Sequence, residues 1–268
     1  MRLSQQQKNY FDTFGFLILR QHLTADDLER INPEFEAAIQ SLLPPGTEHD
    51  GKTRLGRLFM DADTPVMAAL GDDSRFADVA EQLLGRAAIC IGIAGNYYAG
   101  DTRWHSDSHS LDYSGVKFTI YLDSLNASSG SLRVIPGSHR EPLWGQSQLT
   151  HETDATFGVQ ADALPAYAFE SEPGDVLVFL HPLWHSSFGG GTRRRMMEVN
   201  YYADPQTPEN VEAFCHQMAR NHRSSTERGG HMYPKYWRSV EDVRHRSWIR
   251  RMDELGALET PGVPPIGS

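Results

Sequence analysis

Between Ala88 and Tyr202 the chain is built of short runs rich in Val, Ile, Tyr, Phe and Thr, separated by the turn clusters NASSG, PGSH, EPGD and FGGG. Short apolar runs at that spacing predict an all-β sandwich or barrel rather than alternating βα units, and they fit a jelly roll. Helical patterns flank this region. Thr24 can cap a helix to about Leu42, with Asp26 and Asp27 in its first turn, where the helix dipole favours acids. A second helix is predicted from about Ser74 to Leu84, stopped by Gly85, and a third from Thr207 with Pro208 in the first position. The run from about Val240 to Leu258 can form another. His49, Arg54 and Arg57 lie among Gly46, Gly51 and Gly56 in a segment that reads as a loop. The expectation is one mainly β domain over 1–268: a mostly helical region over 1–87, a β core over 88–205 and a helical extension over 206–268.

Length and charge narrow the function classes. A chain of 268 residues can bury about three quarters of its unfolded surface, so it needs no disulfide or structural metal to fold. Cys90 and Cys215 are too few and too far apart for a disulfide framework or a CxxC site. The start MRLSQQQKNYF does not resemble a signal peptide, and no run approaches a membrane span, so the expected compartment is the cytoplasm. A net charge of −10 argues against nucleic acid as a partner. The basic segment WRSVEDVRHRSWIRR, interspersed with acids, reads as a solvated helix face, and the tail TPGVPPIGS as a draped or disordered end. The expected partner is a small molecule. Oligomeric state stays open.

The candidate chemistry lies in Trp104-His105-Ser106-Asp107, in Trp184-His185-Ser186-Ser187 downstream, and in the triplet Arg193, Arg194 and Arg195. On a strand, His105 and Asp107 project from one face and can bind one ion together. With one remote histidine they make the 2-His-1-carboxylate set that covers one face of Fe(II) and leaves the other open. Alone, a His-x-Asp pair is more often an ordinary surface or hydrogen-bonded pair. His181 and His185 share a strand face by parity, and either can supply the third ligand.

From Asn96 to Tyr202 the order WHSD, GVKFTIYLD, SGSLRVIPGSHR, GDVLVFLHPLWHSS and RRRMMEVNYY resembles the phytanoyl-CoA dioxygenase family of Fe(II)/2-oxoglutarate-dependent oxygenases. NYFDTFGFLILR resembles the family's opening segment, while the region from 206 onward hardly matches. The resemblance implies a double-stranded β-helix, the cupin-like jelly roll, with Fe(II) held by His105, Asp107 and His185. It favours His185 over His181 through the trailing small polar residue, Ser187. It also implies 2-oxoglutarate and O2 as co-substrates, with an arginine gripping the far carboxylate through a bidentate fork. The family spacing of seven residues before the strand's closing aromatic, here Tyr201, selects Arg194. Parity agrees, since Arg194, Met196, Glu198 and Asn200 share one face. Arg195 remains the alternative, and Ser187 and Thr119 are the candidate hydroxyl partners. An acid at position 107 points to hydroxylation rather than halogenation.

Asn96, Tyr97, Tyr98, Arg103, His109, Lys117, Arg133 and Trp144 lie near these motifs and suggest a small polar substrate, with Arg103 or Arg133 available to an anionic group. Arg133 also has a structural reading, as does His139 in the PGSH turn, and His109 faces either substrate or solvent. Three rival readings remain. One is another oxidation, such as desaturation or epoxidation of a natural-product or acyl intermediate, at the same site. The second is a cupin-like metalloenzyme that does not use 2-oxoglutarate, and the third a non-catalytic binding module.

Overall fold

The computed structural model describes residues 1–108, 113–140, 158–191, 193–227 and 232–259. His109, Trp144 and the tail TPGVPPIGS lie outside the described residues. Ten strands are described: β1 (Phe16–Leu19), β2 (Leu55–Leu58), β3 (Ala88–Tyr98), β4 (Thr102–His105), β5 (Gly115–Tyr121), β6 (Leu132–Val134), β7 (Tyr167–Ala168), β8 (Val176–Leu180), β9 (His185–Ser187) and β10 (Arg194–Ala203). They form two antiparallel sheets, a large one ordered β1-β8-β5-β10-β3-β2 and a small one ordered β4-β9-β6-β7. The two sheets make the jelly roll. Seven α-helices are described with them: α1 (Gln5–Phe14), α2 (Ala25–Gln40), α3 (Pro65–Ala68), α4 (Ser74–Leu84), α5 (Pro208–Glu227), α6 (Lys235–Arg238) and α7 (Val243–Glu254).

The helix ends follow local chemistry. Thr24 caps α2 and forms a reciprocal capping box with Asp27, while Asp73 caps α4 and Gly85 ends it in the left-handed conformation. Gly15 at the end of α1 has φ 81°, and a Cβ there would lie 2.4 Å from His139 Nδ1. The turn into β1 therefore needs glycine, and His139 is a packing residue under it. No helix among the described residues is long and apolar enough to cross a membrane.

Two hydrophobic layers hold the sheets. Between them, Phe16, Tyr121, Leu132, Val134, Leu177 and Phe179 form a compact interior cluster. Outside the large sheet, α2, α4 and the carboxy-terminal helices pack a larger cluster that includes Phe35, Phe76, Phe118, Tyr201 and Trp248. Phe118 sits at its centre, with ring centroids 5.3 Å from Phe76 and 5.7 Å from Tyr201. Phe118→Ala should cost about 3–5 kcal/mol through lost burial and the cavity left behind, measured by urea unfolding.

The structure departs from the sequence reading at two places. Leu55–Leu58 is not loop but β2, paired with β3 so that Gly56 faces Asn96. A Cβ at Gly56 would stand 2.0 Å from Asn96 Oδ1, so the glycine that reads as a breaker is there to let two strands approach. Asp107 is not on a strand with His105 either. β4 ends at His105, and the Asp107 N–H donates to the His181 carbonyl at 2.8 Å.

Candidate active site

His105 and His185 are register partners across β4 and β9, which brings their ring centroids to 4.1 Å. Each ring is fixed by its own local backbone: Nδ1 lies 2.8 Å from the Arg103 carbonyl in His105 and 2.9 Å from the Leu183 carbonyl in His185. If each Nδ1 carries the proton and donates it there, each Nε2 presents its lone pair to Asp107. The Asp107 oxygens lie 3.9 Å from His105 Nε2 and 3.7 Å from His185 Nε2. One donor atom from each of the three lies within 4.8 Å of the others, and His181 does not belong to the group.

Lys117 completes this cluster from the opposite sheet. Its Nζ lies 2.8 Å from Asp107 Oδ2 and 3.1 Å from Glu198 Oε2. Burial acts to raise the Asp107 pKa, but Lys117, His185 and His105 outweigh it and hold the carboxyl well below its usual range. Burial first, and then the neighbouring His105, push His185 down to about 3. A neutral imidazole at His185 and a carboxylate at Asp107 are the protonation states that bind a divalent cation, and with the His105 ring beside them the donor set fits the metal the sequence implies.

These shifts have a sign that can be checked without metal. A histidine with a depressed folded pKa stays neutral while its unfolded form, near 6.5, takes up a proton. Stability is full above about pH 6.5 and falls as pH drops toward the folded values of about 4 for His181 and about 3 for His185. The melting temperature of the metal-free protein should decline from pH 7 to pH 4. A flat profile would refute the burial of both rings.

The three arginines separate sharply. Arg193, with φ 51°, turns outward to Glu36 at 2.9 Å and donates to Tyr97 Oη at 2.8 Å. Arg195 also faces outward, pairing with Asp123 at 2.6 Å and Glu36 at 3.4 Å, so it does not reach the cavity. Arg194 points in. It is 4% exposed, donates to the Gly130 carbonyl, to the Gly100 carbonyl at 2.5 Å and to Ser187 Oγ at 3.2 Å, and has no carboxylate partner among the described residues. Gly130 and Gly190 make this fit possible, since a Cβ on either would fall within 2.6 Å of the guanidinium.

Arg194, Ser187, Thr119, His105, Asp107 and His185 all line one cavity of about 240 Å³. Asn96 and Tyr98 line it too, with Arg194 5.3 Å from the Tyr98 ring and Arg54 3.7 Å from it. Other sequence candidates lie elsewhere. Arg103 is exposed and lines none of the cavities described, because strand alternation turns it away from Thr102, which does. Arg133 is spent on the Asp162 and Ala127 carbonyls and stacks on Phe188, which supports its structural reading. His49 packs on Tyr97 at 4.7 Å, whereas Arg54 and Arg57 line the cavity. The role of Lys117 as the partner of Asp107 escaped the sequence reading. Its signal was parity: Lys117, Thr119 and Tyr121 alternate with the apolar Val116, Phe118 and Ile120.

Comparison with known proteins agrees with this architecture. The ectoine dioxygenase of Sphingopyxis alaskensis is 28% identical over 223 residues, covering 71% of this chain and 72% of the relative. The crystal structure of EctD from S. alaskensis with 2-oxoglutarate and 5-hydroxyectoine aligns with a TM-score of 0.56 at 26% identity, covering 75% of this chain and 76% of that one. The same protein is also known with bound Fe. HygX from Streptomyces hygroscopicus, with nickel and 2-oxoglutarate bound, shares the fold with a TM-score of 0.61 at 19% identity, over 78% of this chain and 94% of its own. The phytanoyl-CoA dioxygenase (PhyH) family profile matches residues 11–197, most of the chain and every strand up to the start of β10. The chain belongs to the phytanoyl-CoA dioxygenase family.

Proposed function

We propose that the protein is an Fe(II)- and 2-oxoglutarate-dependent oxygenase that hydroxylates a C–H bond of a small metabolite, releasing succinate and CO2. The observation that carries this reading is Arg194: a buried guanidinium without a carboxylate partner among the described residues, in the same cavity as the His105–Asp107–His185 cluster. A buried charge calls for a counter-charge, and a dicarboxylate that chelates at one end and pairs with arginine at the other supplies it. A metalloenzyme that does not use 2-oxoglutarate would leave Arg194 unexplained.

His105, Asp107 and His185 would hold the iron, and Arg194 with Ser187 and Thr119 the far carboxylate. The iron and 2-oxoglutarate supply the activation of O2 when bound. The protein's own part is positional. Backbone carbonyls fix both imidazoles, Lys117 keeps Asp107 ionised, and Phe179, Leu132 and Met196 wall the cavity against water. The relative crystallised with 5-hydroxyectoine supports hydroxylation as the outcome. Neither Arg103 nor Arg133 lines the cavity, so neither is placed to hold an anionic substrate there.

Succinate should form from 2-oxoglutarate with O2 uptake only when Fe(II) is supplied, and a metabolite library should yield a product heavier by one oxygen. Absence of succinate across the library would refute the reading. Lys117→Met strips Asp107 of its charged neighbour and should weaken Fe(II) binding by about 10–100-fold, read by anaerobic Fe(II) titration.

A further inference from the structure

The inward face of the large sheet continues past the cofactor cavity. Along β10, Arg194, Met196 and Glu198 line that cavity, while Glu198, Asn200 and Tyr202 line a second chamber of about 670 Å³. Asp107, Lys117 and Glu198 border both, so the chamber opens directly beside the candidate iron ligands. Gly92, paired with Asn200 in register, gives it room. A Cβ at Gly92 would stand 3.3 Å from Met232 Cε and 3.8 Å from Met60 Sδ.

The chamber wall is chemically divided. Leu58, Met60, Ile91 and Met232 form an apolar side. Interior charge is already committed: Lys117 is shared by Asp107 and Glu198, and Arg57 makes two contacts with Asp63, at 2.7 and 2.9 Å. Asp61 and Arg220 also line the chamber but are solvent-exposed.

Among the described residues, the group inside that lacks a partner is a neutral one. His181 is 3% exposed, and neither ring nitrogen has a hydrogen-bond partner among the described residues. Asn200 and the Val116 backbone are near enough to influence the ring without closing a bond of good geometry. The ring is held in place by Tyr202, at 4.7 Å between centroids, and by Gly115, where a Cβ would lie 2.8 Å from His181 Cε1. A buried imidazole held rigid and unsatisfied is costly until something bonds to it.

We propose that the chamber binds the substrate and that this substrate carries a neutral hydrogen-bonding group, such as a hydroxyl, for His181 and Asn200 on an apolar body that lies against Met60, Ile91 and Met232. The inference rests on the oxygenase reading for what happens to the substrate, but not for how it is bound. A hydroxyl both donates and accepts, which matches a neutral imidazole beside a carboxamide. Among the described residues that line the chamber, a carboxylate finds no buried cation without an ion pair.

The test is a binding titration of the full chain under anaerobic conditions, with Fe(II) and 2-oxoglutarate and again without either, followed by probe fluorescence anisotropy. The probes share one scaffold: 2-naphthalenemethanol, 2-methylnaphthalene and 2-naphthoate, with unlabelled ectoine as a competitor. The alcohol should bind about tenfold or more tightly than the hydrocarbon, the cost of leaving a buried polar group unmet, and more tightly than the carboxylate. His181→Phe should bring the alcohol to the level of the hydrocarbon, and Gly92→Leu should weaken all three probes. Should His181→Phe fail to fold by circular dichroism, Asn200→Leu should still lower the alcohol preference severalfold. Equal binding of alcohol and hydrocarbon, a preference for naphthoate, or displacement by ectoine at lower concentration than the alcohol itself needs would each overturn the proposal. A preference that persists without Fe(II) and 2-oxoglutarate upholds it even if no succinate is ever formed, which separates its failure from that of the oxygenase reading.

Discussion

His185→Ala will lose Fe(II) affinity by more than the roughly 10–100-fold typical of changes in groups that merely support a ligand, and with it all Fe(II)-dependent succinate formation. It supplies one of three donor groups clustered within 4.8 Å, and alanine offers the metal nothing in return. His105→Ala and Asp107→Ala should behave alike. His181→Ala separates the two histidines of the HPLWH segment: its ring is outside the donor cluster, so Fe(II) affinity should stay at the wild-type value. Anaerobic titration with Fe(II) reads all four variants, with circular dichroism as the check on folding. Loss of affinity in His181→Ala with retention in His185→Ala would exchange their roles.

The second large effect is at Arg194. Removing one partner of a buried, hydrogen-bonded charge pair typically costs about 2–5 kcal/mol, because the other charge stays buried without its partner. Arg194→Ala should therefore raise the 2-oxoglutarate concentration for half-maximal succinate formation roughly thirtyfold or more, at about 1.4 kcal/mol per tenfold. Arg194→Lys should recover part of this, since an ammonium keeps the charge but not the fork. Arg195→Ala should leave the constant nearly unchanged, because that guanidinium is engaged by Asp123 and Glu36 on the outer face. A large effect at Arg195 with none at Arg194 would mean that the anchor is misassigned.

Arg194 was legible in the sequence because strand alternation, which one residue of slip would reverse, agrees there with the family resemblance, whereas the choice of His185 over His181 came from the resemblance alone, since parity leaves both on one face. Arg194, Met196 and Glu198 do share the inward face, and the ends of α4 at Asp73 and Gly85 follow from local capping alone. The features that were not legible depend on contacts between distant segments. β2 was hidden because Gly56 breaks local pattern and finds its purpose in Asn96, forty residues on. Asp107 reaches the cluster not by continuing β4 but by bonding to the His181 backbone. Arg103 lies two residues before His105, yet it is exposed and lines none of the cavities described. The chamber could not be read at all, because its walls come from β2, β3, β10 and α5, with Met232 beyond, and sequence proximity unites none of them.

Glu198 and Lys117 form a partition common to two compartments. Whatever shifts that ion pair when one compartment fills alters the free energy of filling the other. Thermodynamic reciprocity then fixes the consequence: the factor by which 2-oxoglutarate changes the affinity of the chamber's occupant equals the factor by which that occupant changes the affinity for 2-oxoglutarate. Glu198→Gln, which removes the carboxylate from that ion pair, should change that single factor in both directions at once.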